Sequence, residues 1–331
     1  MAQVIDAHAH VIVPEIVRPR GSRDGWRPAV SWRGGVQVVE RAGREIRSAT
    51  REFVRVDEIL EAQAAAGIDR TVLSPWVALL GDDAPVDDAV RSCRIQNDAL
   101  HALVEAHPGR LSAVGTVPLQ DPRLAATEVE TVMTGSRLSG VEVPASVAGV
   151  SLGDPRFEPF WEAAEATAAL VFVHPTARGF DLPAMQDHYL WNSVGNPLEL
   201  AVVGAHLVMS GVLERHPDLR VLLAHGGGAL LAVRGRLRHA HTFQPDARSR
   251  IRASPDVSLR RFFFDTITHD DDLLRALVEY ATPEHVLLGS DYPFDMGDAA
   301  PAERARRLGL SPSEERKILG GNAERLLGLD A

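Results

Sequence analysis

The segment Asp6-Ala7-His8-Ala9-His10 follows the apolar pair Val4-Ile5 and runs into Val11-Ile12-Val13. On an extended strand alternate side chains share a face, so His8 and His10 point the same way and could grip one metal ion. Three more apolar runs end in groups of the same chemistry: Leu170-Val171-Phe172-Val173-His174, Val221-Leu222-Leu223-Ala224-His225 and Val286-Leu287-Leu288-Gly289-Ser290-Asp291. Imidazoles with a carboxylate form a nitrogen and oxygen donor set suited to Zn²⁺, with Mn²⁺ or Fe²⁺ as alternatives. A lone histidine in a strand is ordinarily a packed core or surface residue. What separates these five groups is that each closes its run at the same end. The histidines at 101, 107, 206, 216, 239, 241 and 285 fall on helical stretches or ahead of strands and read as structural, while His269, just past the seventh run, stays open.

Positioning such groups together requires a scaffold that gathers strand ends. Eight short runs rich in β-branched and apolar residues recur along the chain, and the other four lie at 71–74, 113–117, 140–143 and 261–265. Helical patterns at 57–66, 87–106, 125–133, 158–168, 197–215 and 271–280 alternate with them, and 298–307 and 311–327 follow the last. The sequence therefore predicts an α/β fold, a TIM (β/α)8 barrel, in which all strand C-termini open on one face. Residues 1–331 read as a single domain carrying a small insertion, 14–51, after strand one, and ending in C-terminal helices. The insertion is rich in Arg, Gly and Trp without sustained periodicity and is expected over the barrel mouth. The stretch 179–196 is expected to form another wall of the pocket.

Composition narrows the function classes. With 331 residues, 45% of them apolar, the chain can bury a sizeable core. A net charge of -10 argues against a nucleic-acid footprint. No apolar run reaches membrane-spanning length, and the single cysteine, Cys93, permits no internal disulfide, so a cytoplasmic setting is expected. Gly226-Gly227-Gly228 completes no phosphate-loop spacing and reads as a place where backbone passes close beneath the pocket.

Taken together, Val4 to His10, Phe172-Val173-His174-Pro175, Ala224-His225-Gly226-Gly227-Gly228 and Leu288-Gly289-Ser290-Asp291-Tyr292-Pro293-Phe294 resemble the amidohydrolase superfamily. More narrowly, they resemble its 2-amino-3-carboxymuconate-6-semialdehyde decarboxylase branch. The resemblance runs from strand one to Gly320-Gly321-Asn322-Ala323 and is weakest over 14–51. It implies that His8, His10, His174 and Asp291 hold one divalent metal ion, with Zn²⁺ expected and Mn²⁺ as the alternative. His225 is implied to act as general acid/base beside a metal-bound water, its alternative role being a fifth ligand. Binuclear relatives bridge two metals with a strand lysine; the only lysine here is Lys317, near the C-terminus, so a lysine-bridged pair is excluded. Glu142 could substitute as a bridge, but no further ligand set for a second ion is apparent.

An acid substrate calls for a guanidinium. The resemblance implies one arginine from the region after strand one, Arg47 in preference to Arg44. Another, Arg236 or its neighbour Arg234, would reach in from the second subunit of a homodimer. Arg178, four residues past His174, is a candidate by position alone. Trp191, His188 and Phe294 are expected to line the pocket, His188 standing where the muconate enzyme has an aromatic residue. The expected function is metal-dependent, non-oxidative decarboxylation of a small unsaturated or aromatic carboxylic acid. The conjugated acid would be attacked by the activated water or protonated, after which CO₂ leaves. The alternatives are a metal-dependent hydrolase of a carbon-carbon, lactone or amide bond, and a non-catalytic metal-binding scaffold.

Overall fold

The computed structural model describes residues 3–17, 27–33, 36–41, 44–48, 55–176 and 178–329. Parallel strands covered by helices are buried on both faces, so their sequences read as continuous apolar runs. The first strand, Ile5–Val11, is buried at every position. It is followed around the barrel by Arg70–Pro75, by Leu111–Ala113 and its continuation Gly115–Thr116 beyond a break at Val114, and by Gly140–Pro144 and Leu170–His174. Arg220–Leu223, Phe263–Asp265 and Val286–Leu287 complete the set. Each strand pairs in parallel with the next.

The ring closes between its two ends. The Ala7 amide donates to Leu288 O at 2.8 Å, the Asp291 amide to His8 O at 2.8 Å, and the His10 amide to Tyr292 O at 2.7 Å. Asp6, fully buried, fastens the same seam: it accepts the Ser290 amide at 3.0 Å and Gln63 Nε2 at 2.7 Å, besides the Ser290 hydroxyl. The eight parallel strands expected from the sequence are thus present; Leu170–His174 matches at both ends, the others shift by one or two residues, and the last ends at Leu287, four residues before Asp291.

The helices Val56–Ala65, Val86–Ala106, Pro122–Gly135, Glu158–Ala166 and Asp271–Ala281 match the sequence reading within a few residues. Two start on buried-face patterns capped by an aspartate, Asp121 and Asp270. The single helix expected over 197–215 is two, Asn196–Met209 and Val212–Arg215, because Gly211 adopts φ 80° between them. The helix Leu230–Phe243 has limits that periodicity does not mark. Only Leu230 and Leu231 are buried, and its second half carries exposed Arg236, Arg238, His239 and Phe243. At the C-terminus, Pro301–Arg306, Pro312–Arg316 and Asn322–Leu327 close the chain; the Ser311 capping box is formed, and a π-helical turn, Lys317–Gly321, joins the last two. Among the described residues no helix is long and apolar enough to cross a membrane.

Within 14–51 the described residues form a three-stranded antiparallel sheet, Ala29–Arg33, Val36–Arg41 and Arg44–Ser48. Adjacent Val38 and Val39 are both buried, so no two-residue alternation betrays the strand. The stretch 179–196 consists of short turns, Gly179–Asp181, Pro183–Met185 and Trp191–Gly195. Buried Glu199 anchors its start by accepting the Thr176 amide at 2.5 Å and the Thr176 hydroxyl at 2.7 Å.

Candidate metal centre

His8 and His10 project from the first strand into the barrel, each with 0% of its surface exposed and with their Nε2 atoms 2.9 Å apart. The outer nitrogen of each ring is already held. His8 Nδ1 meets Asp265 Oδ2 at 2.7 Å, His10 Nδ1 lies 3.0 Å from Ser74 Oγ and 3.2 Å from Pro75 O, and His174 Nδ1 lies 3.0 Å from Pro175 O. A carbonyl or carboxylate oxygen only accepts, so these contacts place a proton on Nδ1 and leave the Nε2 atoms facing inward.

Asp291, at the seam of the barrel, stands among them. Its Oδ1 is 3.3 Å from His8 Nε2 and 3.2 Å from His10 Nε2, and its Oδ2 is 3.3 Å from His225 Nε2. His174 Nε2, His225 Nε2 and Asp291 Oδ1 are buried without a hydrogen-bond partner among the described residues. Donor atoms of His8, His174, His225 and Asp291 all lie within 4.8 Å of one another. Groups bound to one ion at about 2.1 Å stand roughly 3 to 3.5 Å apart, so the contacts of 2.9 to 3.3 Å among these Nε2 and carboxylate atoms have the spacing a shared divalent cation needs.

The electrostatics agree with that fit. Burial disfavours a charged His8, yet the carboxylates of Asp291 and Asp265 hold its pKa up to about 10. Burial would raise Asp291, but His8 and contacts from His10 and His225 keep it well below the usual carboxylate range. His174 is pushed well down, by burial first and then by the neighbouring imidazoles, and His10 is lowered mainly by burial. A proton on His8 thus balances the Asp291 and Asp265 carboxylates, and a divalent cation that displaced this proton would balance them in its place.

Two residues that the sequence reading did not single out support this centre. Asp265, fully buried at the end of the seventh strand, accepts four hydrogen bonds: from His8 Nδ1, and from the amides of His225 at 2.8 Å, Gly226 at 2.8 Å and Ile267 at 3.0 Å. It orients a candidate ligand and the His225 loop with one carboxylate. Its signal was in the sequence, since it closes a strand at the same end as the other five groups. Asp6, pushed up to about 6 by burial against the hydrogen bonds that lower it, secures the seam that carries Asp291. Glu142 is fully buried on the fourth strand, and burial pushes its pKa well up.

The remaining candidates scatter. Phe294 sets its ring 5.2 Å from that of His10 and 6.2 Å from that of Trp76, forming a wall. Arg178 is held by Asp82 at 2.9 Å and Asp83 at 3.6 Å, which ties the loop after strand five to the loop after strand two. Arg236 is exposed on the helix Leu230–Phe243. Arg47 pairs with Val38 in the inserted sheet, and its side chain falls outside what the structure describes. Trp191 packs edge-on against Tyr189, 4.9 Å between centroids, and His188 is exposed. A cavity of about 310 Å³ opens onto His225 and Asp291; Asn192, Asn196, Thr268, His269 and Met296 lie along it. The stretch 179–196 thus contributes a wall, and His269 joins the lining.

Residues 5–329 match the family model described as amidohydrolase. The chain belongs to that family. It is 31% identical over 266 residues to the 2-amino-3-carboxymuconate-6-semialdehyde decarboxylase of Dictyostelium discoideum, covering 80% of this chain and 74% of that one. It is 29% identical to the gamma-resorcylate decarboxylase of Rhodococcus jostii, over 73% of this chain and 78% of that one. Among solved structures, 5-carboxyvanillate decarboxylase from Sphingomonas paucimobilis superposes with a TM-score of 0.81 at 23% identity, covering 100% of each chain. A dihydroxybenzoic acid decarboxylase from Polaromonas, with bound manganese and 2-nitroresorcinol, superposes with a TM-score of 0.80 at 20% identity, covering 100% of this chain and 98% of that one. The amidohydrolase resemblance read from the sequence, and its decarboxylase branch, are both borne out, as is the barrel.

Proposed function

We propose that this protein is a metal-dependent, non-oxidative decarboxylase of an unsaturated or aromatic carboxylic acid. The observation that carries the reading is the convergence of three buried imidazole Nε2 atoms with Asp291 beside a fourth, more accessible imidazole, in a chain whose relatives named above are decarboxylases. His8, His10, His174 and Asp291 would hold one divalent ion. The nitrogen-rich donor set favours zinc, with manganese as the alternative. When bound, the ion supplies Lewis acidity to an oxygen of the substrate or of water.

The chain's own residues account for the rest of the chemistry. Replacing CO₂ by hydrogen requires one proton at the carbon that loses it; the electron pair of the broken carbon-carbon bond becomes the new carbon-hydrogen bond. His225 lines the cavity and its side chain is 15% exposed, although Nε2 itself is buried beside Asp291, so the ring can deliver that proton to a substrate held there. Asp265 fixes the His225 backbone while this happens. Phe294 closes the wall beside His10 and helps exclude water. Arg236 of a second copy, with Arg47, would hold the substrate carboxylate in a homodimer, the helix Leu230–Phe243 presenting Arg236 outward.

The test combines three readings. Elemental analysis should return about one divalent ion per chain, reconstitution with zinc and with manganese compares the metals, and candidate acids turned over in heavy water should release CO₂ and leave deuterium at the former carboxyl carbon. His225→Gln should lower kcat by about 10² to 10⁴. Product fragments that have gained the elements of water, without CO₂, would establish a hydrolase instead. Mixing Arg236→Ala chains with His225→Gln chains should restore activity in hybrid dimers, and hybrids without activity would refute the shared site.

A further inference from the structure

The three glycines after the sixth strand bring a second element to the cavity. A side chain at Gly228, which adopts φ +59°, would place its Cβ 2.3 Å from Pro197 O, and the Ala229 amide donates to the same oxygen at 3.0 Å. The start of the helix Asn196–Met209 is thereby pressed against the His225 loop, and its first residue, Asn196, lies on the cavity that also holds His225 and Asp291. Asn196 is 4% exposed, and its Oδ1 has no hydrogen-bond partner among the described residues. A buried amide acceptor left unpaired is unfavourable, and the molecule offers no structural use for it. The local backbone also holds without it, since the helix carries Pro197 in its first turn and Asn196 caps nothing.

We infer that Asn196 is a specificity-determining residue whose carboxamide oxygen accepts a hydrogen bond from an O–H or N–H group borne by the substrate near its carboxylate. The inference rests on the decarboxylase reading for the class of acid, and it adds the requirement that the acid carry a donor. A site built to pair with a substrate hydroxyl rejects the analogue lacking it, because its own polar group is then stranded.

The experiment measures binding to the metal-loaded protein of 2-hydroxybenzoate, 2-aminobenzoate and benzoate, in the wild type and in Asn196→Leu and Asn196→Ala. The wild type should prefer one of the two donor-bearing acids over benzoate by about tenfold or more; which one leads distinguishes O–H from N–H recognition. In both variants the ratio should fall toward one. Metal content and thermal midpoint should stay near those of the wild type, since no protein hydrogen bond is lost. A preference that survives in both variants, or no preference in the wild type, overturns the assignment. A fall in thermal midpoint without a change in ratio makes Asn196 structural and also overturns it. Binding needs no turnover, so the ratio reports on Asn196 even if no acid yields CO₂. CO₂ release with an unaltered ratio in the variants would retain the decarboxylase and remove Asn196 from its specificity.

Discussion

Asp265→Asn changes one atom type and tests the centre at its most connected point. Both carboxylate oxygens are used in pairs: Oδ2 takes His8 Nδ1 and the His225 amide, and Oδ1 takes the Gly226 and Ile267 amides. An asparagine has one acceptor oxygen and an NH₂ that only donates, so whichever way it turns, two donors face it unpaired. If the oxygen stays with Gly226 and Ile267, the lost bonds are those to His8 and His225. A bond to an ionised acceptor contributes about 1.5–3 kcal/mol, so the loss is about 3 kcal/mol at the least. Against a total stability of roughly 5–15 kcal/mol that is a large fraction. For a chain of this size it corresponds to a thermal midpoint lower by roughly 4 °C or more. Freed from its acceptor, His8 loses the orientation of its Nε2 lone pair, and metal affinity should fall about 10- to 100-fold. Chelator competition monitored by metal release, run beside thermal melts of the metal-free and metal-loaded forms, measures both effects. An asparagine variant that holds metal as tightly as the wild type and melts at the same temperature would refute the argument that Asp265 organises the centre.

Arg178→Gln and Asp82→Asn should disturb substrate KM similarly and non-additively, with a coupling of about 1–2 kcal/mol in a double-mutant stability cycle, because their contact ties two loops at the mouth; a KM defect confined to Arg178→Gln would instead place its guanidinium on the substrate. Gly228→Ala should cost at least about 1–3 kcal/mol, since alanine must adopt φ +59° and its Cβ would collide with Pro197 O; a denaturant midpoint equal to that of the wild type would contradict it. Lys317 pairs with Glu284, whose pKa is held down to about 2, chiefly by the lysine. A carboxylate with a lowered folded pKa contributes stability above its unfolded value near 4.5 and loses it as pH falls toward 2. Lys317→Gln should therefore flatten the stability curve across that window. Near neutral pH it should cost at most about 1 kcal/mol, because both ends are partly exposed and screened.

The barrel was legible because its strands are buried on both faces and so appear as bare apolar runs, each closed by a polar group at the same end. The same rule located His8, His10, His174, His225 and Asp291. It also applied to Asp265, but an aspartate at a strand end has no signature that separates a ligand from the group that orients one, and the partner that reveals the difference, His8, is 257 residues away. Arg178 illustrates the converse: its position beside His174 suggested substrate, whereas the acids that engage it come from a loop 96 residues earlier. Asn196 was hidden because an unpaired amide is recognised only by what surrounds it. The inserted sheet escaped notice because adjacent valines are buried together, which erases the two-residue period. The helix Leu230–Phe243 escaped because a mostly exposed helix has no apolar stripe to read.

The seam of the barrel has a consequence for biosynthesis. Asp291 joins the cluster across the seam that backbone bonds and the Asp6–Ser290 contacts close, so the first and eighth strands must meet before the donors are complete. A nascent chain emerging from the ribosome exposes both strand-one histidines early, yet it lacks the carboxylate until residue 291 has been made. The full donor set therefore forms only once the eighth strand has been made and has docked against the first. Fragments truncated ahead of the eighth strand should bind metal only weakly, as an unstructured pair of imidazoles would.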